Sequence, residues 1–363
     1  MTGDGLRVVV VGAGAAGMAL AARAALGGHT VVLTNRPGPR LDAVARAGPL
    51  RLTEPDGSEH EARVPVTADL RAAGRDADAV VLAVGSSAQG ETLCGLAGSL
   101  RPGCVVLLVP GHCGGAWCAT AALLAAAHPV PPLAELPLPF VCRQSGPADV
   151  AIRQDKSAIH LGAAFRDRAA ARDVASRLGY PVTEECTLLE AALRNTTAVL
   201  QPVLLLANLA PVDHARPFAI YQEGMSPAAG RLAAALDGER LAAAAAYDIA
   251  PPSLPSWLRG TYGAAGRELH ELVAKVPGYA GIAAPTQVDH RFLVEHVETG
   301  LVPLVALGGL VGVTMPCSSA TVELAAAATG QPLWERGRGL DRMLPPGVAT
   351  SQALEYLVEK VGV

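Results

Sequence analysis

A glycine-rich loop between two apolar segments constrains the fold of this chain more than any other feature. Val8–Val11 is an unbroken run of β-branched residues, typical of a strand buried on both faces of a parallel sheet. Gly12, Gly14 and Gly17 follow it at once with the spacing GxGxxG. An alanine-rich, helix-forming segment comes next, and then a second apolar run, Thr30–Leu33. This order of strand, loop, helix and strand predicts a βαβ unit that binds a dinucleotide.

Each glycine of the loop has its own expected role. Gly12 permits a tight turn, Gly14 lets the backbone approach a pyrophosphate, and Gly17 lets the helix pack closely against the strand. The phosphates would meet backbone N–H groups and the positive end of the helix dipole. The predicted cofactor contacts are therefore Gly12, Ala13, Gly14, Ala15, Ala16 and Gly17. An ordinary tight turn between a strand and a helix is the alternative.

The residues after the second strand indicate which dinucleotide binds. A site for NAD usually carries Asp or Glu there, which accepts a hydrogen bond from the ribose 2′-hydroxyl. This chain has Asn35 and Arg36 instead, and an arginine fork suits a phosphate. We therefore predict that Asn35 and Arg36 contact the cofactor and that it is NADP, with NAD as the alternative. A solvated loop arginine before Pro37 is the simpler interpretation of Arg36.

Two further apolar segments end in small residues at the same predicted sheet edge. Ala79–Val84 is followed by Gly85, and ligands of doubly wound sheets bind outside the carboxyl ends of strands. Val84 and Gly85 are therefore candidate cofactor contacts, although a simple turn of small residues fits them nearly as well. His112 and Cys113 lie in the glycine-rich loop after the next strand. We predict no nucleophile there, because neighbouring side chains point apart and no orienting acid is evident.

Composition excludes several classes of protein. The 363 residues suffice for two domains, and half of them are hydrophobic while 17% are charged, which is typical of a globular chain. A formal charge of −4 without a basic stripe argues against a nucleic-acid partner. The seven cysteines form no CxxC pair, so we expect reduced thiols and neither a disulfide framework nor a zinc ribbon. We expect a cytoplasmic protein, because no apolar run resembles a membrane span and no signal peptide precedes the first strand.

The hydrophobic period changes near Leu188. Before it, short apolar runs bounded by turns indicate strands; after it, Ala/Leu segments have helical spacing, beginning with a helix predicted over 188–208. The fold class is therefore α/β plus all-α: a Rossmann-type dinucleotide-binding domain, 1–185, followed by an all-helical domain, 186–363. Charged residues beside the strand-like runs of the first domain are expected to be solvated; they are Glu135, Arg143 and Lys156.

Several segments outside the dinucleotide loop carry a resemblance to a known family, and the last three of them are distinctive of it. They read GHCGGAWCAT, ELPLPFVCRQSG, NTTAVLQPVLLLANL, FAIYQEGMSP and HRFLVEHVETGLVPLVALGGLVGV. With these segments the chain resembles the octopine/nopaline (opine) dehydrogenase family along nearly its whole length. The resemblance implies a nucleotide-binding domain, a helical domain and a substrate between them. It also implies that NAD(P)H reduces the imine formed from an α-keto acid and the amine of an amino acid.

The chain departs from the family at the residue pair that the resemblance marks as catalytic. The family has a histidine before the proline of one helix, where this chain has Gln201 before Pro202. That histidine pairs with an aspartate, and His296 takes the place of the aspartate here. Reduction consumes a hydride and a proton, and histidine can titrate whereas glutamine cannot. One hypothesis is that His296 supplies the proton and Gln201 orients it or the substrate. The alternative is that His296 is a helix-surface residue and the pair is lost.

Three other positions in the matching segments are candidate substrate contacts. The guanidinium of Arg143 can bind a substrate carboxylate, although an arginine at a strand edge is the simpler interpretation. Asn208 can hydrogen bond to a substrate or simply end a helix, and Tyr221 lies in the YQEGMSP segment. The other histidines have no ligand spacing with acidic residues, so we predict no metal.

The sequence therefore predicts a two-domain NADP-dependent oxidoreductase that reduces an imine or ketone of a small amino- or keto-acid-like substrate. We expect a homodimer because the helical domain is strongly apolar, and we expect no nucleic-acid or membrane partner. Three alternatives stay open. They are a reductase of a specialised biosynthetic intermediate that performs no condensation, a dehydrogenase that runs in the oxidative direction, and a non-catalytic nucleotide-binding protein.

Overall fold

The first half of the chain folds into strands that alternate with helices, as its apolar runs predict. The computed structural model describes residues 5–358. The strands are β1 Arg7–Val11, β2 Thr30–Thr34, β3 Leu50–Thr53, β4 Glu59–Ala62, β5 Val66–Thr67, β6 Ala79–Leu82, β7 Val105–Leu108, β8 Leu133–Glu135, β9 Phe140–Gln144, β10 Asp149–Asp155, β11 Ile159–Ala163 and β12 Val182–Cys186. The helices of the same half are α1 Ala15–Leu26, α2 Pro39–Ala47, α3 Leu70–Gly74, α4 Gln89–Ala97, α5 Gly115–Ala125 and α6 Phe165–Arg177.

Within the described residues, eight strands form one main sheet with the order β12-β11-β8-β7-β6-β1-β2-β5. Its neighbouring strands are parallel except for the antiparallel pair of β8 and β11. From β1 the chain moves outward to β2, then returns to place β6 on the other side of β1. The strand order therefore reverses between β1 and β6, and a crevice for ligands opens at the carboxyl ends of strands at such a point.

A second sheet, which the sequence analysis did not foresee, covers the outer side of α1. It contains four strands in the order β4-β3-β10-β9 within the described part of the chain. The helix α1 contacts β1 and β2 of the main sheet as well as all four strands of this second sheet. A helix between two sheets is buried on opposite faces, and small side chains allow both sheets to approach it closely. This explains why α1 consists largely of alanine.

The described residues form two compact units. Residues 5–111 and 119–187 form the first, and residues 112–118 and 188–358 form the second. The helices of the second unit are α7 Leu188–Leu193, α8 Thr197–Leu206, α9 Leu209–Asp213, α10 Pro227–Ala245, α11 Leu254–Tyr262, α12 Leu269–Ala274, α13 Val294–His296, α14 Val302–Leu310, α15 Pro316–Thr329, α16 Leu333–Arg336, α17 Leu340–Met343 and α18 Ala353–Val358. Between residues 5 and 358, no helix is both long and apolar enough to span a bilayer.

The single helix predicted over 188–208 is wrong, because the chain breaks between α7 and α8. The buried guanidinium of Arg240 donates a hydrogen bond of 2.6 Å to the carbonyl of Leu193, the last residue of α7. The following turn is closed by the hydroxyl of Thr197, which donates to the side chain of Asn195 at 2.6 Å. A side chain from a distant part of the sequence thus hydrogen bonds to a carbonyl at the end of α7. The helix ends there, and α8 is a separate helix.

A π-helical turn, Val297–Leu301, connects α13 to α14. The turn packs against α8, and Gly300 lies at the contact. A Cβ built on Gly300 would come within 2.6 Å of the Cβ of Ala198, so the two backbones approach as closely as they do only with glycine there. Single π-helical turns within α-helices often occur at functional sites. This one begins directly after His296.

Candidate cofactor and catalytic sites

The backbone of the first unit itself requires Gly12 and Gly17. Gly12 has a φ of +125°, and a Cβ built on it would lie 2.3 Å from the carbonyl oxygen of Ala83. A Cβ built on Gly17 would lie only 1.7 Å from the carbonyl oxygen of Gly12. Any other side chain at either position displaces backbone atoms. The tight turn and the close helix packing that the sequence predicts are therefore both present.

Gly14 differs because open space surrounds it. It is the N-cap of α1, and among the described residues the nearest atom to a Cβ built there is Nη1 of Arg40, 3.7 Å away. No side chain in the described part of the chain caps α1, and its first turn holds no acid. Ala15 and Ala16 are half-buried in that turn, while Ala13 is buried. The positive end of the helix dipole thus adjoins a space that a side chain would fill, which fits a pyrophosphate.

Two arginines follow β2 where an NAD site usually has an acid. The carbonyl of Thr34 accepts a hydrogen bond of 2.8 Å from the N–H of Gly12, which ties this segment to the loop. Asn35 is half-buried and Arg36 is exposed. Sequence reasoning missed Arg40, which is exposed in the first turn of α2 with its guanidinium beside Gly14. In the sequence, the indication of this contact was a second positively charged residue shortly after Arg36.

The structure also brings the end of β6 to the glycine loop. The N–H of Ala83 donates to the carbonyl of Val11 at 2.8 Å, and the backbone nitrogen of Val84 lies 3.3 Å from the Cβ position built on Gly12. Gly85 is exposed and precedes a short 3₁₀ turn. These residues therefore lie at the carboxyl edge of the main sheet, beside the point where its strand order reverses.

Glu135 corrects one expectation of the sequence analysis. It is only 2% exposed, at the end of β8, rather than solvated at the surface. A Cβ built on Gly111 would lie 2.2 Å from the Cβ of Glu135, so the loop after β7 approaches this strand closely. A buried carboxylate at the carboxyl edge of the sheet is a functional candidate that sequence reasoning missed. Lys156 is half-buried, and burial lowers its pKa to about 8.

His296 of the second unit is buried, so the interpretation as a helix-surface histidine is wrong. It is 6% exposed, and its Nδ1 has no hydrogen-bond partner among residues 5–358. Burial, and next the nearby imidazole of His112, lower the pKa of His296 well below its usual 6.5. Both effects disfavour the charged imidazolium, and Nδ1 lacks a hydrogen-bond partner within the described residues. Such a nitrogen can exchange a proton with a substrate or a water.

Gln201 lies on α8, which packs against α13 and the π-helical turn. Its amide nitrogen donates to the hydroxyl of Tyr221 at 3.3 Å, while its amide oxygen is buried without a partner in the described part of the chain. Tyr221 is buried and stacks on Tyr279 with ring centroids 4.1 Å apart. Burial raises the pKa of Tyr221 above its usual range, so the phenol stays protonated. Of the four site residues that the sequence predicts in the helical domain, His296, Gln201, Asn208 and Tyr221, two thus contact each other: Gln201 and Tyr221.

His112 is the functional candidate in this unit that sequence reasoning set aside. Its ring lies edge-on to that of His296, with centroids 4.9 Å apart and an interplanar angle of 88°. Its backbone has a φ of +59°, a left-handed conformation that residues other than glycine rarely adopt. The pairing depends on contacts between distant parts of the chain, and the only sequence signal was the histidine in a glycine-rich loop.

Arg143 and Asn208 each have surroundings of their own. Arg143 is exposed on β9, a strand of the second sheet, paired with Ala151 of β10. The side-chain amide of Asn208 donates to the carbonyls of Leu204 and Gly224 at 2.8 and 2.9 Å. These bonds fix the end of α8. Substrate binding by Arg143 or Asn208 stays a prediction.

Among residues 5–358, no group of three His, Cys, Asp or Glu side chains is arranged to hold a metal ion. All seven cysteines are free thiols. Two surface depressions of the first unit lie elsewhere, and both are lined by His29. The chemically equipped regions are therefore the glycine loop and the surroundings of His296.

The chain is similar to known proteins over nearly its whole length. Residues 184–329 match the family model described as NAD/NADP octopine/nopaline dehydrogenase, alpha-helical domain, and residues 8–114 match that of ketopantoate reductase PanE/ApbA. The chain is 31% identical over 355 residues to an opine dehydrogenase of Arthrobacter sp. (strain 1C), covering 96% of this chain and 98% of that protein. It is 25% identical over 350 residues to Protein ocs of Agrobacterium tumefaciens (strain Ach5), covering 93% and 95%.

Solved structures share the fold. An octopine dehydrogenase with NADH and L-arginine has a TM-score of 0.74 at 19% identity, covering 97% of this chain and 98% of that chain. A yersinopine dehydrogenase with NADP⁺ has a TM-score of 0.71 at 18% identity, covering 89% and 91%. The predicted fold class, a Rossmann-type domain followed by a helical domain, is thereby confirmed.

Proposed function

The chain belongs to the octopine/nopaline (opine) dehydrogenase family of NAD(P)-dependent oxidoreductases that act on CH–NH groups, and from this premise we propose its reaction. The protein uses NADP(H) to reduce the imine formed from a keto acid and the amine of an amino acid or a related small metabolite. The loop Gly12–Gly17 holds the dinucleotide together with Asn35, Arg36, Val84 and Gly85. Bound NADPH supplies the hydride.

The observation that carries this proposal is the buried His296, whose Nδ1 has no partner within residues 5–358. Reduction of an imine or ketone consumes one proton besides the hydride, and His296 is the group that delivers it. Gln201, on the helix packed against α13, orients His296 or the substrate through its amide, which cannot titrate. We propose that Gln201 and His296 together replace the histidine and aspartate that the family resemblance implies. The titrating group is then His296 instead of the residue at position 201.

One assay tests the reaction. NADPH and NADH oxidation is followed spectroscopically against a panel of α-keto acids, each with and without a panel of amino acids and simple amines. We expect oxidation that requires both a keto acid and an amine. Equal activity on the keto acid alone would instead support a reductase that performs no condensation. If neither nucleotide is oxidised in any combination, the proposed reaction is wrong.

We propose NADP rather than NAD because Arg36 follows β2 without a carboxylate nearby in the sequence. In Arg36→Ala, the KM for NADPH is expected to rise about 10-fold while that for NADH stays unchanged. A hydrogen bond to a charged group contributes roughly 1.5–3 kcal/mol, and the exposed position favours the lower value. Steady-state kinetics with both nucleotides measure this. Arg46→Ala, an exposed arginine in the last turn of α2, is the matched control. A parallel rise for both nucleotides would contradict a 2′-phosphate contact.

We further propose that the substrate is a small amino- or keto-acid-like molecule, with Tyr221, Asn208 and Arg143 as its candidate contacts. Structures of octopine dehydrogenase with a similar fold contain NADH with pyruvate and NADH with agmatine. We propose a cytoplasmic homodimer. The free thiols support a cytoplasmic location. Leu232 and Leu324 are large, apolar and exposed in the helical unit, which supports self-association. Sedimentation velocity measures the oligomeric state.

A further inference from the structure

The imidazole of His112, which the proposed reaction does not use, forms a pair with that of His296, which it does use. Their rings meet edge to face, 4.9 Å between centroids. His296 is buried, whereas His112 is only half-buried. The pair therefore has one member that can exchange protons with water and one member shielded from it.

The loop that carries His112 is tied to the π-helical turn that follows His296. The N–H of Cys113 donates to the carbonyl of Thr299 at 3.1 Å. The guanidinium of Arg338, itself buried, donates to the carbonyl of Cys113 at 3.0 Å. These bonds fix the backbone next to His112 against the segment next to His296. Backbone hydrogen bonds therefore hold the segments that carry the two rings next to each other.

The surroundings of the pair favour a single shared proton. Two imidazolium ions at this separation repel each other, so the two groups titrate as one coupled system. Burial, then His112, lowers the pKa of His296; Arg291 and His290 lower it further, and Glu295 is the acid that raises it. A proton on the pair thus resides preferentially on the more exposed ring, unless a substrate draws it to His296.

We propose that His112 is a proton-relay residue: it shares one proton with His296 and restores the proton that His296 gives up in each turnover. This rests on the proposed function. In the reduction, the carbon of the C=N bond gains the hydride, the π electron pair moves to nitrogen, and nitrogen takes the proton from the imidazolium of His296. His112 then takes a proton from the solvent and passes it to the neutral His296, so that the pair regains its single shared proton. Charge and atoms balance over the cycle, and His112 acts through His296.

The variant His112→Asn tests the shared proton without the cofactor. Asparagine tolerates a left-handed backbone better than most residues, so it preserves the loop while it removes the titrating ring. The imidazole signals of the free protein are followed by NMR across pH. We expect His296 to gain its proton at higher pH than in the wild type, because the neighbouring like charge is gone. His214→Asn, which changes an exposed histidine on the same unit, is expected to leave the titration of His296 unchanged.

Turnover provides the second readout. In His112→Asn, kcat is expected to fall about 10-fold, less than the 10²–10⁴-fold of a group that contacts the substrate. The pH–rate profile should change shape, while the KM for NADPH stays constant. An unchanged titration of His296 together with an unchanged pH–rate profile would overturn the relay. If the Asn variant does not fold, His112→Gln undergoes the same two measurements. A wild type that turns over no substrate would refute the proposed function, whereas the NMR titration still decides the shared proton.

Discussion

His296→Ala is expected to lower kcat by about 10²–10⁴-fold while the protein still binds the dinucleotide, because a positioned acid contributes about that much. The glycine loop belongs to the first unit and His296 to the second, so the substitution changes no residue of the loop. Steady-state kinetics and a fluorescence titration with NADPH measure the two quantities separately.

A matched pair of variants separates chemistry from packing. His214→Ala removes an exposed histidine of the same unit and should turn over normally. His296→Gln keeps much of the buried volume and hydrogen-bonding capacity but cannot titrate, so it should be as inactive as the alanine variant. Near-normal turnover of His296→Gln would show that the proton comes from another group.

Gly14→Ala is expected to weaken dinucleotide binding by about 100-fold without loss of stability. Among the described residues, only Arg40 lies within 4 Å of the new methyl group, and at 3.7 Å this contact is an ordinary one. When the dinucleotide is bound, the methyl group competes with the pyrophosphate for the space beside the N-terminus of α1. Overpacking of this kind costs about 1–3 kcal/mol. Isothermal titration with NADPH and a thermal melt measure the affinity and the stability.

Two other glycines serve as controls for the effect of Gly14→Ala on binding and stability. Gly17→Ala forces a methyl group onto the carbonyl of Gly12, so that variant should lose stability as well as binding. Gly98→Ala, at the end of α4 with open space around it, should change neither. If Gly14→Ala bound NADPH like the wild type, the phosphates would not lie against Gly14 and the assigned cradle would be wrong.

The βαβ unit around the glycine loop was predictable because its signals are local. Strand, turn and helix propensities within some thirty residues specify it, and the buried run Val8–Val11 could form no other element as readily. The start of α10 at Ser226 and Pro227 follows from the same kind of signal, and Ser226 caps the helix. The family membership was also readable, since its distinctive segments are contiguous in the chain.

Errors arose where a distant residue decided the local structure. The helix predicted over 188–208 ends early because Arg240, far along the chain, donates to the carbonyl of Leu193. Glu135 was assigned to the surface because it is a charged residue beside a strand-like run, but β8 lies inside the main sheet and Glu135 is buried. The second sheet escaped notice because β3 and β10, which pair in parallel, are almost a hundred residues apart.

By itself, the sequence determined that this protein has a nucleotide-binding unit with a glycine loop and a helical unit, and it singled out His296 as a candidate catalytic residue. Hydrophobic period, turn chemistry and residue spacing are properties of neighbours in the chain. Only the tertiary structure decided that His296 is buried, that burial lowers its pKa, and that His112 lies against it. Burial and the approach of a second imidazole depend on which helices pack together, and the pKa of an imidazole responds to both.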